Sequence, residues 1–293
     1  MRPVSWGEVL WDLFPDAERL GGAPANVAYH LAALGRPVAL VSRVGDDPPG
    51  RRATDALAAA GVDVSAVQVD RGRPTGAVEV ALESGEARYR LRAGCAWEHI
   101  EFDGAAAAAV AGAHAICFGT LSQRQAPARR ALEAALAARG AGCLAICDLN
   151  LRPGEQDREL VRWALGVADL IKLNEREEGQ LAALLGVKNV IRHLLGPLGM
   201  RQVALTRGAG GCTLFTAAGE RIDQPGFPAE PGGDNVGCGD AFTAVWVDRV
   251  LAGVPLPRAI EAACRYAAFV AGQRGATPPI PAALVRMTAP ARR

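Results

Sequence analysis

Residues 234–242 read Asp-Asn-Val-Gly-Cys-Gly-Asp-Ala-Phe, and the residues beyond them continue as an apolar run (Ala241, Phe242, Val245, Trp246, Val250) at helical spacing. Gly237 and Gly239 leave their backbone N–H groups unobstructed just before that run. A glycine turn that opens a helix gathers several N–H donors and the positive end of the helix dipole at one point, which suits an anion. A carboxylate inside such a site, here Asp240, is repelled by the site's own ligand unless it has a chemical task. The task that fits is taking a proton from a hydroxyl that attacks a phosphoryl group. Taken alone, the nine residues are explained equally well by an ordinary glycine turn with Asp240 as helix cap.

A second helix start of the same kind lies near the other end of the chain. Gly21-Gly22-Ala23-Pro24-Ala25-Asn26 precedes Val27, Leu31 and Leu34 on one face, and Gly35 follows. Pro24 suits a first helical turn and Gly35 a stop. Asn26 then falls on the first turn, where its amide either bonds hydroxyls as donor and acceptor together or simply caps the helix.

Between these two points, short apolar runs alternate with longer amphipathic segments. Residues 38–41, 115–118, 144–147, 170–171 and 203–205 read as buried strands. Residues 51–60, 126–139, 157–166, 175–185 and 257–271 read as helices, and so does the alanine-rich 105–111. The alternation predicts an α/β chain: a central, mostly parallel sheet covered by helices on both faces. Ligands of such sheets bind beyond the carboxyl ends of the strands. Asp148 and Asn150, Asn174, and Thr206-Arg207-Gly208 each follow an apolar run and so fall at that edge. Residues 75–92 break the rhythm, alternating apolar and polar around Ser84-Gly85 as a hairpin does. With part of 10–20 they predict a small sheet projecting from the main body.

Composition bounds the partners. Half of the 293 residues are hydrophobic and the formal net charge is +1, so neither nucleic acid nor an anionic membrane is expected. The first residues lack the pattern of a signal peptide, and no apolar run approaches the ~20 residues of a membrane span. Seven cysteines (95, 117, 143, 147, 212, 238 and 264) are odd in number and form no CxxC pair. They read as buried thiols of a cytoplasmic protein. Cys238 stands apart, because a thiol in an anion loop can have its pKa lowered. Lys172 and Lys188 are the only lysines, neither beside a glycine loop in sequence, and no GxxxxGK(S/T) loop occurs. Phosphates must then be held by backbone amides at 237–240, arginine and Mg²⁺, where each preorganised donor is worth ~3–4 kcal/mol of barrier height. An exposed aspartate titrates near ~3.9, so Asp240 is expected to be ionised at neutral pH.

The segments GGAPANVAYHLAALG (21–35) and DNVGCGDAFTA (234–244) resemble the two signatures of the ribokinase-like sugar kinases, the phosphofructokinase-B family. VGDDPPG (44–50), GVDVSAV (61–67), DLNLRP (148–153), KLNEREE (172–178), TRGAGG (206–211) and GAT (275–277) are similar to the family in the same order. The likeness runs from about residue 7 to 281. It implies the ribokinase-like three-layer α/β/α fold, one kinase domain over 1–293, and a small β lid from about 10–20 and 72–96. It also implies ATP and Mg²⁺, and leaves potassium open.

By the same resemblance Gly237, Cys238 and Gly239 form the anion hole and Asp240 is the base. Asn174 and Glu177 match an Asn-x-x-Glu element that organises Mg²⁺ and phosphate through water, and Thr206 and Gly208 match nucleotide contacts. Asp234 and Gly275 fall where relatives bind a monovalent cation. Asp12, Gly22 and Asn26 match positions that hold sugar hydroxyls. Arg90 and Arg152 lie in contexts similar to fructokinases and 2-keto-3-deoxygluconate kinases, where arginine pairs with phosphate or a substrate carboxylate. Asn235 and Cys238 depart from the usual Thr and Ala of the signature, and 228–233 (PAEPGG) replaces an extended apolar strand.

Fructose is the expected acceptor, with 2-keto-3-deoxygluconate as the nearest rival and a ribose or nucleoside acceptor third. The nucleoside option needs a stacking surface in the lid, for which only Tyr89 and Trp97 offer themselves. A homodimer through the lid is a further option. A Rossmann dehydrogenase is rejected, since no GxGxxG follows the first strand. A sugar-binding regulator without catalysis is disfavoured by the retained Asp240, Gly237 and Gly239.

Overall fold

Nine strands form one sheet in the spatial order Arg221–Gln224, Cys212–Thr216, Gln202–Thr206, Leu170–Asn174, Leu144–Asp148, Ala115–Gly119, Pro3–Trp6, Ala39–Gly45 and Val67–Asp70. The strands from Gln202–Thr206 onward are all parallel, and the two at the other edge join antiparallel. This computed structural model describes residues 1–14, 17–83, 86–151 and 157–288.

Successive side chains of a strand point to opposite faces, so a sheet covered on both sides needs apolar residues at every position. Ile116, Phe118, Cys147, Ile171 and Leu173 feed one core, packed under the helices Gly104–Ala111, Ala126–Ala138, Arg158–Val167, Glu175–Leu185 and Val190–Leu195. Cys117, Ile146, Leu170 and Ala204 feed the other, under Ala23–Ala33, Pro48–Ala59, Cys238–Leu251, Leu256–Ala271 and Ala282–Thr288. Three layers result, as the alternation predicts. Full burial of Leu31, Leu40 and Ile116 contributes about 1.5–3 kcal/mol apiece, and Trp6, Trp97 and Trp246 are buried as completely. Trp97 is therefore core and no stacking surface: it lies so close to Gly76 that a Cβ there would stand 2.5 Å from its Nε1.

A second sheet has the order Glu18–Gly21, Leu10–Leu13, Gly76–Glu83, Glu86–Leu91. The predicted hairpin supplies its last two strands, and Ser84-Gly85 at the tip lie outside the described residues. Leu10–Leu13 pairs parallel with Gly76–Glu83 and antiparallel with Glu18–Gly21. The glycine-opened helices also begin where the sequence places them. Pro24 sits in the first turn of Ala23–Ala33, Gly35 follows at φ 77°, and Gly237 caps Cys238–Leu251 at φ 74°. Among the described residues no helix is long and apolar enough to cross a membrane.

Candidate active site

Two helices that begin 215 residues apart meet at their first turns. Asn26 Nδ2 donates to Asp240 Oδ2 at 2.8 Å. Asn26 is buried, and its Oδ1 has no partner among the described residues. Burial pushes the Asp240 carboxyl up to about 7, and Asp148 and Glu8 add to that, while the Asn26 bond and Lys172 pull it down. The expectation of a carboxylate fully ionised at neutral pH is corrected here. Asp240 is crowded by protein and by other acids, which favour its protonated form and bring its titration into the neutral range.

Beneath the anion loop lies a charged platform that sequence reasoning missed. Lys172 Nζ donates to Asp148 Oδ1 at 2.9 Å, and both residues are buried. The two are cross-strand partners in the parallel register of Leu144–Asp148 and Leu170–Asn174. Thr243, one turn along the helix from Asp240, places Oγ1 2.8 Å from Asp148 Oδ2 and 3.1 Å from Gly239 O. A Cβ on Gly239 would stand 3.1 Å from Lys172 Nζ, so glycine is what lets the loop settle on the ammonium. The expectation that no lysine neighbours a glycine loop holds along the chain and fails in space. Burial works against the Lys172 charge, but Asp148 and Glu177 outweigh it and hold the ammonium above the ordinary lysine value. A lysine inside the apolar run Leu170-Ile171-Lys172-Leu173 was the signal that could have found it.

The segment behind the loop is also pinned. Gly237 packs so tightly on Ala276 that a Cβ would lie 2.5 Å from the Ala276 Cβ. His30 Nε2 is 2.9 Å from Ala276 O and its Nδ1 3.1 Å from Tyr266 Oη. Burial lowers the His30 pKa to about 4, against the raising effect of the Ala276 bond. The ring is neutral, and since a carbonyl only accepts, Nε2 carries the hydrogen and Nδ1 accepts from Tyr266. Cys238 is half-buried, and burial followed by the Asp240 charge raises its thiol pKa rather than lowering it. The other six cysteines are buried and free.

Thr206 and Gly208 line a cleft of about 310 Å³ together with Cys238 and Gly239. Its far wall is apolar, built from Phe227, Pro228 and the alanines 267, 268 and 271. The structure thus brings the expected nucleotide contacts and the anion loop onto one opening. Asn174 is the register partner of Thr206 and caps Glu175–Leu185, with its Oδ1 accepting from Glu177 N at 3.0 Å. Glu177 faces inward, 1% exposed, and its two oxygens accept from Leu151 N (2.9 Å) and Asn174 N (2.8 Å). Burial raises its pKa, with Lys172 opposing and Asp148 adding. Asn174 and Glu177 form a capping box, and Glu177 also ties in the loop at Leu151. Among the described residues no group of three or more His, Cys, Asp or Glu is arranged to hold a metal ion.

Of the residues expected to hold sugar hydroxyls, Asp12 is half-buried in Leu10–Leu13, and a Cβ on Gly21 would come within 2.7 Å of its Oδ2. Gly22 has φ 103° and passes Glu8 so closely that a Cβ would meet the Glu8 carbonyl oxygen at 2.4 Å. Asp12 is the register partner of Arg19 and Val78, and Val78 of Leu91, so these share one face of the small sheet. Arg90, exposed and opposite Glu79, projects from the other face, and the structure does not bring it to Asp12. Arg152 lies outside the described residues. Asp234 and Gly275 do come together, with Gly275 N donating to Asp234 Oδ2 at 2.8 Å. Arg19 Nη1 donates to the same oxygen at 2.7 Å.

Fold and site together define a small-molecule kinase. The pattern of the pfkB family of carbohydrate kinases matches residues 16–283, and this chain belongs to that family. A fructokinase of Klebsiella pneumoniae is 35% identical, over 81% of this chain and 80% of its own. The ATP-dependent ribose-1-phosphate kinase of Halopiger xanaduensis is 32% identical over 94% of each chain. The Vibrio cholerae fructokinase, solved with fructose, ADP and a calcium ion, superposes with a TM-score of 0.81 at 25% identity over 98% of each chain. A double mutant of it, solved with fructose, ADP and a potassium ion, gives 0.82 at 25% identity over 98% of this chain and 97% of its own.

Proposed function

We propose that the protein is an ATP-dependent fructokinase that transfers the γ-phosphoryl group of ATP to a hydroxyl of fructose, giving fructose 6-phosphate. The observation that carries the reading is the 2.8 Å bond between Asn26 and Asp240, which sets a base at the mouth of an anion loop that opens on a nucleotide-sized cleft. Asp240 takes the proton of the attacking hydroxyl. The Asn26 amide fixes one Asp240 oxygen, and its own unpartnered Oδ1 accepts a second hydroxyl of the sugar, a bond that a buried orphan acceptor favours. Asp12 and the close turn at Gly22 shape the rest of the sugar site. Backbone amides at 237–240 stabilise charge on the transferred phosphoryl group, and Lys172 below Gly239 deepens the positive field there. The triphosphate lies from the loop into the cleft past Thr206 and Gly208.

A magnesium ion carried on the nucleotide's phosphates would neutralise part of their charge; the roles given to this chain's residues stand without it. The small sheet serves as a lid over the sugar and as the surface for a homodimer, in a cytoplasmic enzyme. Fructose is preferred to other acceptors because the Klebsiella relative and the Vibrio structure are fructokinases.

An ADP-release assay with Mg-ATP against fructose, ribose, ribose 1-phosphate, 2-keto-3-deoxygluconate, adenosine and fructose 6-phosphate tests the reading. Turnover concentrated on fructose is expected. Turnover concentrated on another member replaces the acceptor, and silence on all with ATP still bound points to a sugar-binding regulator.

A further inference from the structure

Asp234 stands where three segments of the chain meet. Its Oδ1 accepts from Val236 N at 3.1 Å, immediately before the anion loop begins at Gly237. Its Oδ2 accepts from Gly275 N at 2.8 Å, immediately before Ala276, against which Gly237 packs. Its own N–H donates to Gln273 O at 3.0 Å. One carboxylate therefore joins the two backbone segments that wall the anion loop.

The third segment is the small sheet. Arg19, 215 residues away on Glu18–Gly21, donates from Nη1 to Asp234 Oδ2 at 2.7 Å. Its guanidinium carbon lies 4.7 Å from the centre of the Phe14 ring, and its Cδ would be 3.3 Å from a Cβ on Gly275. The side chain is thus held along its length, and its head lies on the one charged oxygen donor of this junction.

A monovalent cation at Asp234 and Gly275 does not fit these residues. An alkali ion is held by oxygen atoms whose negative charge is not already answered. Here the carboxylate receives three donors, one of them a full positive charge, and a second cation would be repelled by the guanidinium.

We propose that Arg19 takes the place of a monovalent cation in this enzyme: it neutralises Asp234, fixes the anion loop, and makes the kinase indifferent to potassium. The inference rests on the kinase reading. An arginine is always protonated and is tethered to the chain, so the charge it supplies does not vary with the salt. Because Arg19 is the cross-strand partner of Asp12, the strand pair that carries the sugar contact also holds the nucleotide loop.

Arg19→Met keeps the length of the side chain and removes its charge, and Arg19→Lys restores the charge. ADP binding by calorimetry and sugar phosphorylation are compared for the three proteins in potassium, sodium and tetramethylammonium chloride at one ionic strength. Wild type is expected to behave alike in all three salts. Arg19→Met is expected to lose about ten- to hundredfold in kcat in tetramethylammonium, with weaker ADP binding, and to recover part of both in potassium. Arg19→Lys is expected to stay near wild type. Potassium activation of the wild type by about tenfold or more would overturn the proposal. So would an Arg19→Met protein equal to wild type in tetramethylammonium, or an Arg19→Lys protein as impaired as Arg19→Met. ADP binding needs no sugar, so its salt profile decides the matter even where no sugar is phosphorylated, an outcome that would count against the kinase reading alone.

Discussion

Asp240 carries a carboxyl pushed up to about 7, chiefly by burial and then by Asp148, and the proposed role as base needs the ionised form. Activity should therefore fall as the pH drops through about 7, and kcat/KM for the sugar should show its acid limb there rather than near ~4. The same shift has a consequence for stability. The folded value lies above the ordinary 3.8, so the unfolded chain ionises first and ionisation favours unfolding. The penalty is absent below the ordinary value and complete above about 7. Asp240→Asn removes it, so the variant should melt above wild type at pH 8, with the gap closing as the pH falls toward 5. A gap of the same size at both pH values would contradict the shift. None of this was legible in the nine residues that place Asp240 in an anion loop. The shift comes chiefly from burial and then from Asp148, with a smaller push from Glu8, and the fold alone creates that surrounding.

Local signals served best at the level of single elements. Pro24 and Gly35 mark the ends of Ala23–Ala33, and Glu175–Leu185 begins and ends where its amphipathic pattern does. Capping is a contact within four residues, so its chemistry is written in the sequence. The inward turn of Glu177 was not legible, because its second partner, Leu151 N, belongs to another loop. Glu177→Ala would leave the buried Leu151 N–H and the partly buried Asn174 N–H without acceptors, at a cost of about 1–3 kcal/mol for the buried one and less for the other. Glu177→Gln keeps one carbonyl oxygen and should lose less. Urea unfolding midpoints check the order; equal losses for the two variants would show that the carboxylate's charge, rather than its acceptors, holds the loops.

For the molecule as a whole, alternation of apolar runs and amphipathic segments carried the three-layer fold, since both faces of the sheet had to be covered. Strand order and register were beyond it. The pairing of Asp148 with Lys172 follows from parallel register, and that of Arg19 with Asp234 from the docking of a second sheet, neither of which leaves a mark in local sequence. The opposite faces taken by Asp12 and Arg90 are likewise a matter of register. Two glycine-opened helices from opposite ends of the chain meet at their first turns, where the proposed function sets the phosphoryl transfer. The most direct measurement is single-turnover phosphoryl transfer from ATP to fructose by Asp240→Asn, with ATP affinity measured alongside. Loss of about 10²–10⁴-fold in rate at nearly unchanged ATP affinity is the predicted result. Transfer at close to the wild-type rate would contradict the assignment of Asp240 as the base.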